Sequence, residues 1–321
     1  MMSLKKKFLF FNKILLSRYA PVGGQAVIEG VMMRSPRMVA TAVQRASGDI
    51  SLEVSPFASV TKRYKALGIP VIRGMAGMVE TLALGMRCLS FSASEAARDE
   101  EIRAGKTPGE AKGVSNWSMG LTMLASFAIG LLVFFYIPLK LTDWIGVEGR
   151  VAFNVVDGII RLVFFLLYLW GISLWKEMRR LFEYHGAEHK VIHTFEADLP
   201  VTPENAKPFT TLHPRCGTSF LFSIMILSVF VFILFGRPET LGDRLIRFAG
   251  VPIIAGLGFE FIRFSGKHAD NVFVRLASQP GLWLQRITTK EPDMGQLAVA
   301  CRALQSVLPL TEEDQQDVRV M

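Results

Sequence analysis

The chain has 321 residues, 50% of them hydrophobic, with a formal net charge of +8 and a mean hydropathy of +0.34. That is too apolar for an average soluble domain and too charged for a chain buried wholly in lipid, so a part-membrane, part-aqueous molecule is expected. The basic residues flank apolar runs instead of interleaving with aromatics, which argues against nucleic acid as a partner; three scattered cysteines, Cys88, Cys216 and Cys301, exclude a disulfide framework and fit a reducing compartment.

At the start, Lys5, Lys6 and Lys7 precede a short apolar run broken by Asn12 and Lys13. No small-residue cleavage site follows, so residues 1–20 read as a basic amphipathic segment resting on anionic lipid instead of a cleaved signal. Residues 21–113 read as a cytoplasmic α/β region. Alternation there predicts short strands over Ala26–Met33, Met38–Gln44 and Ile50–Val54, with a turn at Ser47-Gly48-Asp49. Over residues 69–98, Arg73, Glu80 and Arg87 recur every seven positions amid apolar and small residues, which predicts an amphipathic helix. Asp99–Gly113 is charged, carries Pro and Gly, and reads as a linker.

A membrane-spanning helix takes about 20 mainly apolar residues. Four segments within residues 114–262 are read as such spans: Trp117–Leu139, Val151–Trp175, Thr218–Phe235 and Leu245–Ile262, the last loosened by Gly250, Pro252, Gly256 and Gly258. Short connections at 140–150 and 236–244 hold few basic residues. The N-terminal region, the 176–217 connection with Lys176, Arg179, Arg180, Lys190, Lys207 and Arg215, and the C-terminal tail hold most of them, which places these three regions in the cytoplasm. The tail, residues 263–321, is expected to hold helices at Lys267–Ser278 and Pro292–Leu308 around a break at Pro280-Gly281, with Trp283 as an interface anchor and a polar end at Thr311–Met321. The expected fold is a mainly α membrane protein with about four transmembrane helices, a small N-terminal cytoplasmic β-containing unit and amphipathic helices.

Four of the five histidines fall between positions 185 and 213. In His185-Gly186-Ala187-Glu188-His189 the two histidines lie about 40° apart around a helix, with Glu188 about 60° to the other side of His185. This H-x-x-E-H spacing is that of inverted zinc peptidases, in which two His bind the ion and the Glu activates water. Glu196 shares the stripe but stands about 10 Å beyond His189. His213 and Cys216, on the return of the same loop, are the better further ligands. The alternative is that the imidazoles pair with lipid phosphates, carboxylates or carbonyls. His193 reads as a satisfied surface histidine and His268 as isolated; Cys216 is either a ligand or a small buried hydrophobe. Glu29 either faces solvent by alternation or reaches into the site. Asp157 and Arg161, four apart in a span, read as a structural ion pair, and Glu260, at the end of a span, needs a partner and is a functional candidate.

Four segments carry a resemblance: Gly23-Gly24-Gln25-Ala26-Val27-Ile28-Glu29-Gly30-Val31-Met32-Met33-Arg34, Tyr184-His185-Gly186-Ala187-Glu188-His189-Lys190, His213-Pro214-Arg215-Cys216-Gly217-Thr218-Ser219-Phe220 and Pro280-Gly281-Leu282-Trp283-Leu284-Gln285. From about Pro21 to Leu308 the chain resembles the DUF1385 family of YqhQ-like bacterial membrane proteins. The resemblance implies an integral protein of the bacterial cytoplasmic (inner) membrane, multi-pass with both termini cytoplasmic, sometimes described as a metal-dependent enzyme. Carried over by position, it supports Glu29, Arg34, His185, Glu188, His189, Glu196, His213, Arg215, Cys216 and Glu260, while Ala298 stands where a Glu is often expected.

The functional expectation is a metal-dependent enzyme, a hydrolase above other classes. His185 and His189 bind a divalent ion such as Zn²⁺, and His213 or Cys216 completes the shell. Glu188 is the general base, with Glu29 a second catalytic candidate, and Arg215 and Arg34 hold an anionic group of a lipid headgroup or peptide. The competing class is a non-catalytic assembly factor, scaffold or small transporter. Membrane lipid is the expected partner, with a second copy or another membrane protein as further candidates.

Overall fold

A computed structural model describes residues 22–107, 115–267 and 271–308. The segment 1–20, the second half of the Asp99–Gly113 linker, His268 and the Thr311–Met321 end lie outside the described residues.

Strands β1 (Gly23–Val27), β2 (Gly30–Arg34), β3 (Met38–Gln44) and β4 (Ile50–Pro56) form an antiparallel meander in chain order. The run Ala26–Met33, expected as one strand, is a hairpin: Val27 pairs with Gly30, and the chain turns at Ile28 and Glu29, the latter with φ 52. Tight two-residue hairpins use positive φ, and an apolar run reads alike whether it continues or doubles back.

The pleat sorts the side chains between two helical layers. Val31, Met33, Ala40 and Ala42 face α6 (Lys176–Glu196) and α11 (Met294–Gln305), where they meet Tyr184, Ala187, Val191, Leu297, Ala300 and Leu304. Val27, Met32, Val39 and Val43 face Leu84, Cys88 and Phe91 of α2 (Ile72–Arg103), which follows the single turn α1 (Val60–Arg63). The small sheet is thus covered on both sides, and its near-continuous apolar runs follow from that.

The apolar helices are α3 (Asn116–Leu131), a π-turn over Leu132–Tyr136, α4 (Ile137–Ile145), α5 (Arg150–Ile172) and α8 (Gly217–Phe235). Two stretches, Gly120–Ile145 and Arg150–Ile172, are long and apolar enough to cross a membrane, with mean hydropathies of 2.1 and 2.0. Among the described residues these two of the four expected spans meet that measure. Helix α8 carries no charged side chain over its 19 residues. Helix α9 (Leu241–Lys267) is long enough but is interrupted by Asp243, Arg244, Arg247, Glu260 and Arg263. Around the two long stretches a broad apolar surface has no cover among the described residues: Trp117 is 81% exposed and Trp144 85%.

Two of the charges inside these helices show how such groups are paired. Arg161 donates to Asp157 at 2.9 Å and reaches the carbonyls of Phe134 and Phe135 at 3.4 Å, groups that the wider π-turn presents to a neighbour. Glu260 accepts from Arg73 at 2.6 Å and from the Val71 amide at 3.4 Å. That pair clamps α2 to α9 where Gly74 and Gly256 meet; a Cβ on Gly74 would stand 2.8 Å from the Gly256 backbone.

The tail differs from expectation as well. Pro280 lies inside α10 (Val272–Thr288) instead of breaking it. A proline removes one helical hydrogen bond without forbidding the helix to resume, and here the reversal falls at 289–293. There Asp293 caps α11, accepting from the Gln296 amide at 2.8 Å while the Gln296 side chain accepts from the Asp293 amide at 2.9 Å. Helix α7 (Pro203–Ala206) is a single turn capped by Thr202.

Candidate metal centre

Helix α6 carries the site because one ridge of it repeats side chains able to bind a metal ion. His185, His189, His193 and Glu196 succeed one another at steps of four, four and three, the spacing that stacks side chains along one helical face. The sheet and α11 hold the opposite face. Two segments close over the ridge: the returning loop 207–217 and the end of α10 with residues 288–290. Gly186 permits the second, since a Cβ there would overlap the Lys290 carbonyl. The Lys290 amide donates to the Phe182 carbonyl at 2.8 Å, fixing that crossing.

Both leading imidazoles are oriented by carbonyls. His185 Nδ1 lies 2.7 Å from the Thr288 carbonyl oxygen, and His189 Nδ1 lies 2.5 Å from that of Thr211. A carbonyl only accepts, so each Nδ1 carries the proton and each Nε2 presents its lone pair. His185 Nε2 stands 3.2 Å from Cys216 Sγ, and the two ring centroids are 4.5 Å apart. One donor atom from each of His185, His189 and Cys216 falls within 4.8 Å of the others. His189 and Cys216 are buried, and His185 is partly exposed.

The electrostatics favour ligand forms. Burial depresses His189 to about 4, keeping it neutral. Burial acts to raise the Cys216 thiol, and the hydroxyl and amide of Thr218 act against it. Neutral imidazole and thiolate are the species that bind a transition ion, and an outer carbonyl on the second ring nitrogen is the usual support of such a ligand. Cys216 also caps α8, accepting from the Thr218 amide at 3.5 Å.

Glu188 is buried beside this trio. Burial raises its carboxyl to about 7, against the opposing influence of His185 and the Gly24 amide. Gly24 on β1 closes over it: a Cβ there would come 3.1 Å from Glu188 Cγ.

His213 takes a different place. Gln285 brackets its backbone, accepting from its amide and donating to its carbonyl at 2.8 Å each. The ring turns to the next turns of α6, its centroid 4.7 Å from His193 and 5.5 Å from His189. Burial lowers His213 to about 4 and His193 to about 3. Glu196 reaches both rings, at 3.5 Å from His213 Nε2 and 3.9 Å from His193 Nδ1, and is ion-paired with Arg215. The structure therefore brings His185, Glu188, His189 and Cys216 together and sets His213 with His193, Glu196 and Arg215.

Glu29 and Arg34 stand outside both groups. Glu29, in the β1–β2 turn, accepts from Arg180 Nε at 2.5 and 2.6 Å, docking the hairpin on the first half of α6. Arg34 lies over the Phe57 ring at 4.8 Å. Sequence reasoning read His193 as a surface histidine and gave Gln285 and Lys190 no role in the site. His193 is buried; its signal was the ridge continuing from His189. Gln285 closes the Pro280–Gln285 motif, and Lys190, buried, reaches the Lys207 carbonyl at 2.9 Å and the Glu291 carboxylate.

Comparison with known proteins agrees with the motifs. The model of a family described as a protein of unknown function (DUF1385) matches residues 69–310. The chain is 33% identical over 305 residues to "Uncharacterized protein YqhQ" of Bacillus subtilis (strain 168), covering 92% of this chain and 94% of that one. No solved structure matches significantly. With the family model spanning most of the chain and the relative nearly all of it, the protein belongs to the DUF1385 family.

Proposed function

We propose that this protein is a membrane-bound, metal-dependent hydrolase whose centre is His185, His189 and Cys216 with Glu188 beside it. The observation that carries the reading is the pair of Nδ1 contacts to the Thr288 and Thr211 carbonyls, which leave two lone pairs and a sulphur converging on one point. Donors of two imidazoles and a thiolate suit Zn²⁺ or a similar borderline ion, and three protein ligands leave a position for substrate. When bound, the ion supplies Lewis acidity that polarises a carbonyl or phosphoryl oxygen.

This chain's own residues do the rest. Glu188, held near 7, exchanges a proton at its carboxylate close to neutral pH, the range where a general acid–base is most effective. Partly exposed His185 marks the side from which substrate approaches. Arg215 is engaged by Glu196, so it contributes by positioning that carboxylate more than by gripping substrate.

The membrane setting rests on the two long apolar helical stretches and their uncovered surface. The four-residue connection between α4 and α5 makes them a hairpin, so the chain returns to the side it left and α6 opens beyond α5 with Lys176, Arg179 and Arg180. That charge supports a cytoplasmic centre. A lipid headgroup or a membrane-proximal peptide is the substrate class that fits this position.

A second reading has one observation in its favour. Glu188 is close enough to be influenced by His185 and Cys216, and as a fourth ligand it would close a structural site in a non-catalytic scaffold. Elemental analysis of detergent-purified protein, native and His185→Ala/His189→Ala, tests the shared premise: bound metal is expected in the native protein, and the folded double variant is expected to hold one ion per chain fewer. Metal-free native protein would sink both readings. Glu188→Gln separates them, since a base can be replaced without loss of the ion and a ligand cannot.

A further inference from the structure

The half of the ridge beyond His189 is a second concentration of donors that the centre above does not use. His193 Nε2 lies 2.9 Å from the Leu212 carbonyl oxygen. By the same tautomer argument Nε2 carries the proton and Nδ1 presents a lone pair. That Nδ1 is buried with no hydrogen-bond partner. What faces it is Glu196 Oε2 at 3.9 Å, another acceptor. Two acceptors turned toward each other in a buried position repel unless a cation or a proton stands between them, and 3.9 Å is beyond hydrogen-bond reach.

We propose that His193, Glu196 and His213 form a second divalent-cation site, distinct from the His185, His189 and Cys216 centre. One donor atom from each lies within 4.8 Å of the others. Ligand atoms held about 2.0–2.2 Å from one ion in tetrahedral array are roughly 3.3–3.6 Å apart. Glu196 Oε2 stands 3.5 Å from His213 Nε2 and 3.9 Å from His193 Nδ1, so the trio closes on an ion with small movements. The outer contacts are those of a ligand set: the Leu212 carbonyl orients His193, and Arg215 holds the other oxygen of Glu196. Binding through His213 Nε2 places the proton on Nδ1 and gives up the 3.3 Å contact from the Arg215 amide.

The chain is arranged for two ions. Helix α6 supplies His185 and His189 to one and His193 and Glu196 to the other. The His213-Pro214-Arg215-Cys216 segment gives its first residue to the second site and its last to the first. The second site has two imidazoles and a carboxylate and no sulphur, a donor set suited to Zn²⁺, Fe²⁺ or Mn²⁺.

Cobalt separates the two sites, because only the first contains a thiolate and so only it yields sulphur-to-cobalt charge-transfer absorption. Full-length protein in detergent is stripped with chelator, titrated with Co²⁺ alone, desalted and analysed for metal. Two ions per chain are expected, falling to one in Glu196→Gln with the thiolate absorption intact, and to one without that absorption in Cys216→Ser. His193→Gln serves as a second variant, each checked by circular dichroism and elution volume. One ion with thiolate absorption, unchanged by Glu196→Gln and His193→Gln, overturns the second site and leaves the first reading standing. One ion without that absorption, lost in Glu196→Gln, supports the second site and removes the first. No bound ion overturns both.

Discussion

His189, His193 and His213 are neutral bases kept from water, and that has a consequence for stability. An unfolded imidazole takes up a proton near 6.5, whereas burial holds these three to about 4, 3 and 4. Below 6.5 the unfolded chain therefore binds more protons than the folded one, so stability falls as pH drops from 6.5 toward 4. Glu188 acts the other way: raised from 4.5 to about 7, it contributes stability that is complete below 4.5 and is lost as pH rises through 7. Three groups against one leave acid the destabilising direction. In chelator-stripped protein, denaturant midpoints are expected to be lower at pH 5 than at pH 7; an equal or higher midpoint at pH 5 would refute the buried neutral imidazoles. The stripped state is the right one to measure, because a bound ion would compete for the same lone pairs.

At the scale of elements, α6 is the member on which everything converges: sheet and α11 on one face, the returning loop and the end of α10 on the other. Its closest crossing is at Gly186 under the Lys290 carbonyl. Gly186→Ala adds one methyl where there is backbone instead of a yielding side chain. Overpacking of this kind costs about 1–3 kcal/mol, and the same displacement carries Thr288 away from His185 Nδ1. A lowered melting temperature together with weaker metal retention is the expected result. A variant that melts like the native protein and keeps its metal would show that the crossing is looser than drawn. Glu29 works at this scale too, through its ion pair with Arg180: it fastens the β1–β2 hairpin to α6, and its apolar surroundings in sequence concealed a docking role.

For the whole molecule, the apolar surface of α3, α4 and α5 is the feature that needs an environment. Residues such as Trp117, Leu124, Phe127, Trp144 and Trp170 are exposed over a connected helical pair, which in water is an aggregation hazard and in lipid is ordinary. The protein is expected in the membrane pellet after alkaline carbonate washing and in solution only with detergent; release by carbonate alone would mean that another protein, not lipid, covers this face. Several features were legible along the chain: the short strands, the long amphipathic helix, two long apolar spans and the H-x-x-E-H ridge all announce themselves by period or composition, because each depends on neighbours a few residues away. Whether an apolar run spans, doubles back or lies in a core depends on what packs against it, so the hairpin at Glu29 and the continuous helix through Pro280 emerged only in three dimensions. The same holds for the site. Composition named His185, His189, His213 and Cys216 as candidate ligands, but spacing within α6 cannot say how a returning loop divides its two donors. Tertiary packing decided that His213 stands with His193 and Glu196 while Cys216 stands with His185, because the carbonyls of Thr211, Leu212 and Thr288 and the bracket of Gln285 fix where each ring and each lone pair points.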